Sequence, residues 1–235
     1  MSYDVFDRNV GVNGGALAVI GAAHLSINAG IFLSNAASGD GGAVYAVKTG
    51  VDARHSLFKG NSAGMGASAL AGYSEDTGNA LQMANSLVAE NTSLSNEAAI
   101  VGGWQAFNVT VANNTGFGIG TTADTGGAQP TVINSIIAGN TLGNCRGIEP
   151  GAFVGPNVQD GVADCGSLLV VNLNLDPLYV PSAQSVERLS GDLTTCRREP
   201  VNGEDILFQP RGIRGDCTIG AYERPPADRV PPHDY

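Results

Sequence analysis

Hydrophobic positions in the first 140 residues fall in short runs between glycines, and the runs repeat. The unit is an aromatic or aliphatic residue, two intervening residues and an asparagine. It occurs as Phe6 to Asn9, Phe32 to Asn35, Phe58 to Asn61, Val88 to Asn91, Val111 to Asn114 and Ile137 to Asn140. Successive asparagines stand 26, 26, 30, 23 and 26 residues apart. Between these copies lies a second element: Gly14-Gly15-Ala16-Leu17, Gly41-Gly42-Ala43-Val44 and Gly66-Ala67-Ser68-Ala69-Leu70, with weaker versions at Ala99-Ile100 and Gly118-Ile119. The run that follows alternates, as in Ala43-Val44-Tyr45-Ala46-Val47, which is the period of a strand. Glycines this frequent leave no room for helices of ten or more residues.

A period of 20 to 30 residues built from short strands and glycine turns fits a leucine-rich repeat or a parallel β-helix. Leucines at fixed offsets with an intervening helix are absent, so the sequence predicts an all-β, right-handed parallel β-helix of roughly six to nine coils. Each coil would lie about 4.7–4.9 Å from the one before, stacking equivalent residues in columns. Phe6, Phe32, Phe58, Val88, Val111 and Ile137 are the expected core column. Asn9, Asn35, Asn61, Asn91, Asn114 and Asn140 are the expected ladder, bonding between coils and to turn backbone. Glycines are expected at the tight bends that need positive φ.

Composition narrows the possibilities. Of 235 residues, 33 are glycine, 14% are charged and 43% are apolar, enough to bury a core. Twenty-two acids face 12 bases, with lysine only at 48 and 59, for a formal charge of −10. Such a surface is a poor match for nucleic acid. From Val10 to Gly39 there is no Asp, Glu, Lys or Arg. That stretch is long enough to raise a membrane span, but it carries the second repeat copy in register and is read as soluble repeat. Met1-Ser2-Tyr3-Asp4 lacks the basic-then-apolar order of a signal peptide.

The four cysteines fall as two pairs, Cys145 with Cys165 and Cys196 with Cys217, and no C-x-x-C occurs. An even count with wide spacing suits two structural disulfides and a place outside the reducing cytosol. They lie in residues 142–223, where the repeat breaks down. Eight of the twelve bases and most prolines also lie beyond Leu142. Residues 1–223 are thus read as one domain, with regular repeats in 1–141 and, in 142–223, last coils and an irregular disulfide-stapled C-terminal cap over an otherwise open sheet edge. Residues 224–235 are a proline-rich tail. The first copy has no amphipathic capping helix before it. That fits either a piece of a longer surface protein or an end that packs on another chain.

The paired Gly-Gly-Ala-(Leu/Val) and Phe-x-x-Asn elements resemble the repeats of polymorphic outer-membrane proteins and related bacterial β-helix surface proteins. Asp176-Pro177-Leu178, then Arg211-Gly212 leading to Cys217-Thr218-Ile219-Gly220-Ala221-Tyr222-Glu223, resemble the ending of secreted right-handed parallel β-helix repeat proteins. There the last motif commonly has aspartate where Thr218 stands. The resemblance implies a secreted or cell-surface protein with an adhesin-like role. The membrane barrel or anchor of that family has no counterpart here.

Parallel β-helices also include polysaccharide enzymes. No Asp-Asp, His-Gly or Arg-x-Lys occurs, which argues against a polygalacturonase-like hydrolase. A polyuronate lyase would need a base and a cation, with Ca²⁺ as cofactor, drawn from the flank residues Asp52, Arg54, Glu75, Asp76, Glu97 and Asp124. Solvated loop charges are the expected reading of those residues. Trp104 is expected in core or coil-edge packing, with sugar stacking the other option. His24 is expected as a tolerated strand residue, and Arg54-His55 as a surface turn. Sequons occur at Asn91, Asn108 and Asn113. The expected function is therefore a non-catalytic extracellular or cell-surface role with no resident cofactor. An extracellular glycan, a protein or a second copy stacked end to end is the expected partner, and the lyase and a self-assembling filament are the alternatives.

Overall fold

The computed structural model describes residues 1–73, 81–122, 128–161, 163–166, 168–177, 179–180, 190–212, 215 and 217–223. It is a parallel β-solenoid of about six turns, with the strands of each turn feeding four sheets. Sheet I stacks the strands Val5–Asp7, Ile31–Leu33, Leu57–Lys59, Leu87–Ala89, Thr110–Ala112, Ile136–Ala138, Val158–Asp160 and Leu169–Val170. Sheet II is a set of two-residue strands from Val10–Gly11 to Thr92–Ser93. Sheet III runs from Leu17–Ile20 to Gly143–Arg146, and sheet IV from His24–Asn28 to Phe153–Val154. All named strand pairs are parallel, because each coil returns to the same side before the next strand is laid down.

The registers align the repeat residue for residue. Phe6 lies over Phe32, Phe32 over Phe58, Phe58 over Val88, Val88 over Val111 and Val111 over Ile137. Strand spacing forces the rings parallel, with centroids 4.8 Å apart for Phe6–Phe32 and 4.7 Å for Phe32–Phe58. The next rung at this position is Gln159, fully buried. Its Oε1 accepts from the Cys165 N–H at 3.2 Å, so the buried apolar column gives way to a polar side chain, with the exposed Val170 of the last strand over it.

At the corner after sheet I, each asparagine is held from both sides. Asn35 donates its backbone N–H and its Nδ2 to Asn61 Oδ1, at 3.0 and 2.9 Å. Its Nδ2 also donates to the Phe6 carbonyl at 3.0 Å. Asn61, Asn91 and Asn114 repeat all three bonds, with Asn91 and Asn114 as acceptors and Asn140 closing the run. Asn9 donates the same pair to Asn35. Inside an apolar core an unpaired amide is costly, and here every rung satisfies the one before it.

The bends differ from expectation. The residue ahead of each ladder asparagine is left-handed, and four of the six are not glycine: Arg8, Ser34, Glu90 and Asn113, against Gly60 and Gly139. Stacking over-determines the corner, so ordinary residues are held there despite the steric cost. In Gly-Gly-Ala the two glycines do different work. Gly41 has φ +66°, while a Cβ on Gly42 would stand 2.1 Å from the Ser68 carbonyl oxygen of the next coil.

The two disulfides are Cys145–Cys165 and Cys196–Cys217. Cys145 ends the inward column Leu17, Val44, Leu70, Ile100 and Ile119 of sheet III, so the first bond closes the core of the last coil. The second lies elsewhere. The described residues between 171 and 223 fold back over the outer side of sheet I as a strap. Val171, Leu173 and Ile219 cover Ile136, Ala138 and Val158, while Tyr179, Ile206 and Ala221 cover Leu87, Ala89 and Ala112. The strap reaches the first coils, where Phe208 stacks on His55 at 4.3 Å and approaches Tyr3 at 6.1 Å. The stapled C-terminal region therefore covers a flank of the solenoid as well as closing its last turn. Leu178 and the tail 224–235 lie outside the described residues.

Replacing one central asparagine strands two donors of the rung before it. Asn61→Ala is expected to cost about 3 kcal/mol or more, read as a lower urea midpoint. An exposed change such as Leu94→Ala, at a side chain 74% exposed, should leave the midpoint almost unmoved.

Candidate functional site

A second set of ladders flanks the corner between sheets IV and I. Ser56 Oγ accepts from the Gly30 N–H, Ser86 Oγ from the Ser56 N–H and Ser135 Oγ from the Val109 N–H, each at 3.1 Å. The residue before each serine position is left-handed and faces outward: His55, Asn85, Asn108 and Asn134. This outer column holds the strap. Asn85 Nδ2 donates to the Val201 carbonyl at 3.0 Å, Asn108 Nδ2 to the Thr218 carbonyl at 3.1 Å and Asn134 Nδ2 to the Asp192 carbonyl at 3.1 Å. Asn134 Oδ1 accepts the Asp192 N–H in return at 2.8 Å. Sequence reasoning missed this column, although each member stands six residues ahead of a ladder asparagine and the pair Asn-Ser recurs at 85–86 and 134–135.

The strap has its own hub. The Arg211 guanidinium is fully buried and donates to the carbonyls of Glu204, Thr218, Gly220 and Ala221, each at 2.8 Å. It also donates to Glu223 Oε2 at 3.3 Å, which accepts the Thr218 N–H at 2.9 Å. Burial draws the Arg211 pKa down to about 10, leaving it charged at neutral pH. The buried carboxylate of Asp205 accepts from the N–H groups of Leu207, Gln209 and Glu223. The Arg-Gly and Ile-Gly-Ala-Tyr-Glu segments are thus one hydrogen-bonded knot.

The outer side of sheet IV is not covered in the same way. Ser26, Asp52, Gln82, Gln105 and Thr131 lie in register, one per coil, and point outward. Their inward neighbours Leu25, Val51, Leu81 and Trp104 form a core column. Trp104 is therefore buried, its Nε1 donating to the Val101 carbonyl at 3.1 Å, and it offers no ring to a sugar. These polar rungs, exposed at Ser26 and Gln105 and half-buried at Asp52, Gln82 and Thr131, make a regularly spaced hydrogen-bonding face.

Of the flank residues considered for a lyase, the described ones split between two places. Arg54 Nε donates to both Asp52 oxygens at 2.9 Å, and its Nη1 pairs with Glu199 of the strap. These two carboxylates raise the Arg54 pKa, so it stays protonated with its charge offset by theirs. Glu97 immediately precedes the sheet III strand Ala98–Val101 and pairs with Arg146 at 2.7 Å. Glu75, Asp76 and Asp124 lie outside the described residues. His24 is an exposed residue at the start of its strand. Of the sequons, Asn91 and Asn108 are buried and hydrogen-bonded, and Asn113 is exposed.

Among the described residues, the group of three side chains close enough to hold a metal is Cys145, Asp164 and Cys165, whose two sulfurs are joined to each other. The core contains a void of about 20 Å³ between Met83, Trp104, Ile119 and Val132. That is far below the few hundred Å³ of a ligand pocket. No helix among the described residues is long and apolar enough to cross a membrane.

His55 ties the strap tip to the solenoid. Its Nδ1 lies 2.8 Å from the Asp205 carbonyl, which can only accept, so Nδ1 carries the proton. Burial lowers the His55 pKa, outweighing Glu204 and Asp205, which favour the charged ring, while Arg211 opposes it. The undocked chain therefore takes up the second proton first. Strap docking is at full strength above the ordinary histidine value of about 6.5 and weakens as the pH falls through it. Protease cleavage within residues 199–210 should accelerate between neutral pH and pH 5. His55→Asn, the residue used at the other rungs, should flatten that dependence.

No protein family, curated protein or solved structure matches this chain, so its function has to be read from its own surface chemistry.

Proposed function

We propose that this protein is a non-catalytic, adhesin-like scaffold of the extracellular space or cell surface, whose outer sheet IV face binds a glycan. The observation that carries this reading is the outward column Ser26, Asp52, Gln82, Gln105 and Thr131, one polar side chain per coil on a stiff sheet. Parallel strands fix those side chains about 4.8 Å apart, so a polyhydroxylated chain lying across the coils can bond to several rungs with little ordering cost. Two disulfides fit a location where thiols stay oxidised. The cation beside this face, Arg54, is already paired with Asp52 and Glu199, which favours a neutral glycan over a polyuronate.

Affinity electrophoresis and sedimentation with a panel of neutral and acidic polysaccharides, with and without Ca²⁺, test the proposal. Binding to at least one neutral polymer, weakened about tenfold or more by Gln82→Ala with Gln105→Ala, is the expected result. Binding that survives this double change would move the site off sheet IV. Calcium-dependent release of unsaturated sugars would replace the scaffold by a lyase.

A further inference from the structure

The outer side of sheet IV carries a second column. Side chains alternate along a strand, so the residues two positions after the polar rungs also point outward. They are Arg54 after Asp52, Ala84 after Gln82, Phe107 after Gln105 and Ile133 after Thr131, with Val154 next in register. Between the two columns Ala53, Met83, Ala106 and Val132 point into the core.

This second column changes character along the axis. Arg54 is bound to Asp52 and to Glu199 of the strap, and Ala84 is fully buried. On the next three coils the column is apolar: Phe107 and Ile133 are half-buried and Val154 is 48% exposed. The residues that follow Phe107 and Ile133 are Asn108 and Asn134, whose amides hold the strap carbonyls of Thr218 and Asp192. Strap backbone therefore borders the apolar column on the side away from the polar one. The later coils thus present an uncharged shelf, with the amides and hydroxyl of Gln82, Gln105 and Thr131 along one edge and Phe107, Ile133 and Val154 beside them. Gln82 Nε2 lies 3.5 Å from Gln105 Oε1, at the outer limit of a hydrogen bond, so both amides keep capacity for a further partner.

We propose that this shelf selects, among neutral glycans, an extended β-linked polymer of sugars with equatorial hydroxyls, lying along the solenoid axis. The inference rests on the glycan reading above and names the class and direction of the polymer. Such a chain is a flat ribbon whose rims carry hydroxyls and whose broad faces carry C–H groups. Each sugar advances it by close to one strand spacing. Laid on the shelf, it covers the Phe107 ring and its aliphatic neighbours with a broad face, while one rim follows the amide column coil by coil. An α-linked polymer of the same sugar curls into a helix and meets only one or two rungs. A stiff ribbon on a stiff sheet also loses little freedom on binding.

Titration calorimetry of the intact, oxidised chain with cellohexaose and maltohexaose, which share one sugar and differ in linkage, tests this. Cellohexaose should bind about tenfold tighter or more, with a negative heat-capacity change from burial of apolar surface. Phe107→Ala should weaken that binding about tenfold. Val154→Asp, at an exposed position where folding is not at stake, should weaken it as well, and Leu94→Ala, on a turn beyond sheet II, should leave it unchanged. Failure to bind cellohexaose, equal or tighter binding of maltohexaose, or cellohexaose binding untouched by Val154→Asp would each overturn the proposal. If any of these occurs while a neutral polymer still binds in a way that needs Gln82 and Gln105, the glycan reading stands and only the selection of a β-linked ribbon falls. Absence of binding to every polymer and both hexaoses removes the two together.

Discussion

Each coil closes around a buried asparagine amide. The corner after sheet I turns the chain inward, and the amide at that corner would be an expensive group in an apolar interior if any of its bonds were missing. Its two N–H groups and its oxygen are satisfied only when another coil lies at strand spacing above and below. The interaction therefore selects the stacked solenoid as a whole over an isolated turn. It also dictates the flat stacking of Phe6, Phe32 and Phe58, since the rings ride on strands whose register the amides fix. Stability in such an array comes from nearest-neighbour contact between coils, and the ladder is its most exacting part.

The strap follows from a second constraint. Sheet I is apolar on both sides: Phe58, Val88 and Val111 point inward, and Leu87, Ala112 and Ile136 point outward and are buried. A sheet covered on both faces needs a second layer. The C-terminal segment supplies it, held by asparagine side chains at the corners and by the Arg211 knot. The strap is too short to build its own core, which is why its carbonyls converge on one guanidinium and its ends are tied by Cys196–Cys217.

How much of this was legible depends on period. Asparagines 9, 35, 61, 91, 114 and 140 recur with their inward aliphatic or aromatic partner, and a period is visible in one sequence because stacking demands like residues at like places. The strap contacts have no period. Nothing in Asn85 alone distinguishes a turn residue from one that binds Val201 from 116 positions away. A local signal did exist, since Leu87-Val88-Ala89, Thr110-Val111-Ala112 and Ile136-Ile137-Ala138 are nearly unbroken apolar runs. One-sided strands would alternate, as Val44-Tyr45-Ala46-Val47 does. The polar face of sheet IV was hidden for a different reason: Asp52, Gln82 and Gln105 follow glycine-rich connections of unequal length, so only the register reveals them as one column.

The same logic separates the surfaces by use. Sheet I is taken up by the strap and cannot meet a partner without undocking it. The bases of the repeat body are largely consumed in local pairs, Arg54 with Asp52 and Glu199, Lys59 with Glu90. Such pairs are worth little in stability, but they remove the charges that would otherwise draw polyanions. The polar column of sheet IV, running along the axis, is the surface on which the proposed glycan binding rests. A repetitive polymer lying along that column would meet a polar group at each coil, and several weak contacts on one rigid face hold such a chain more firmly than any one of them alone.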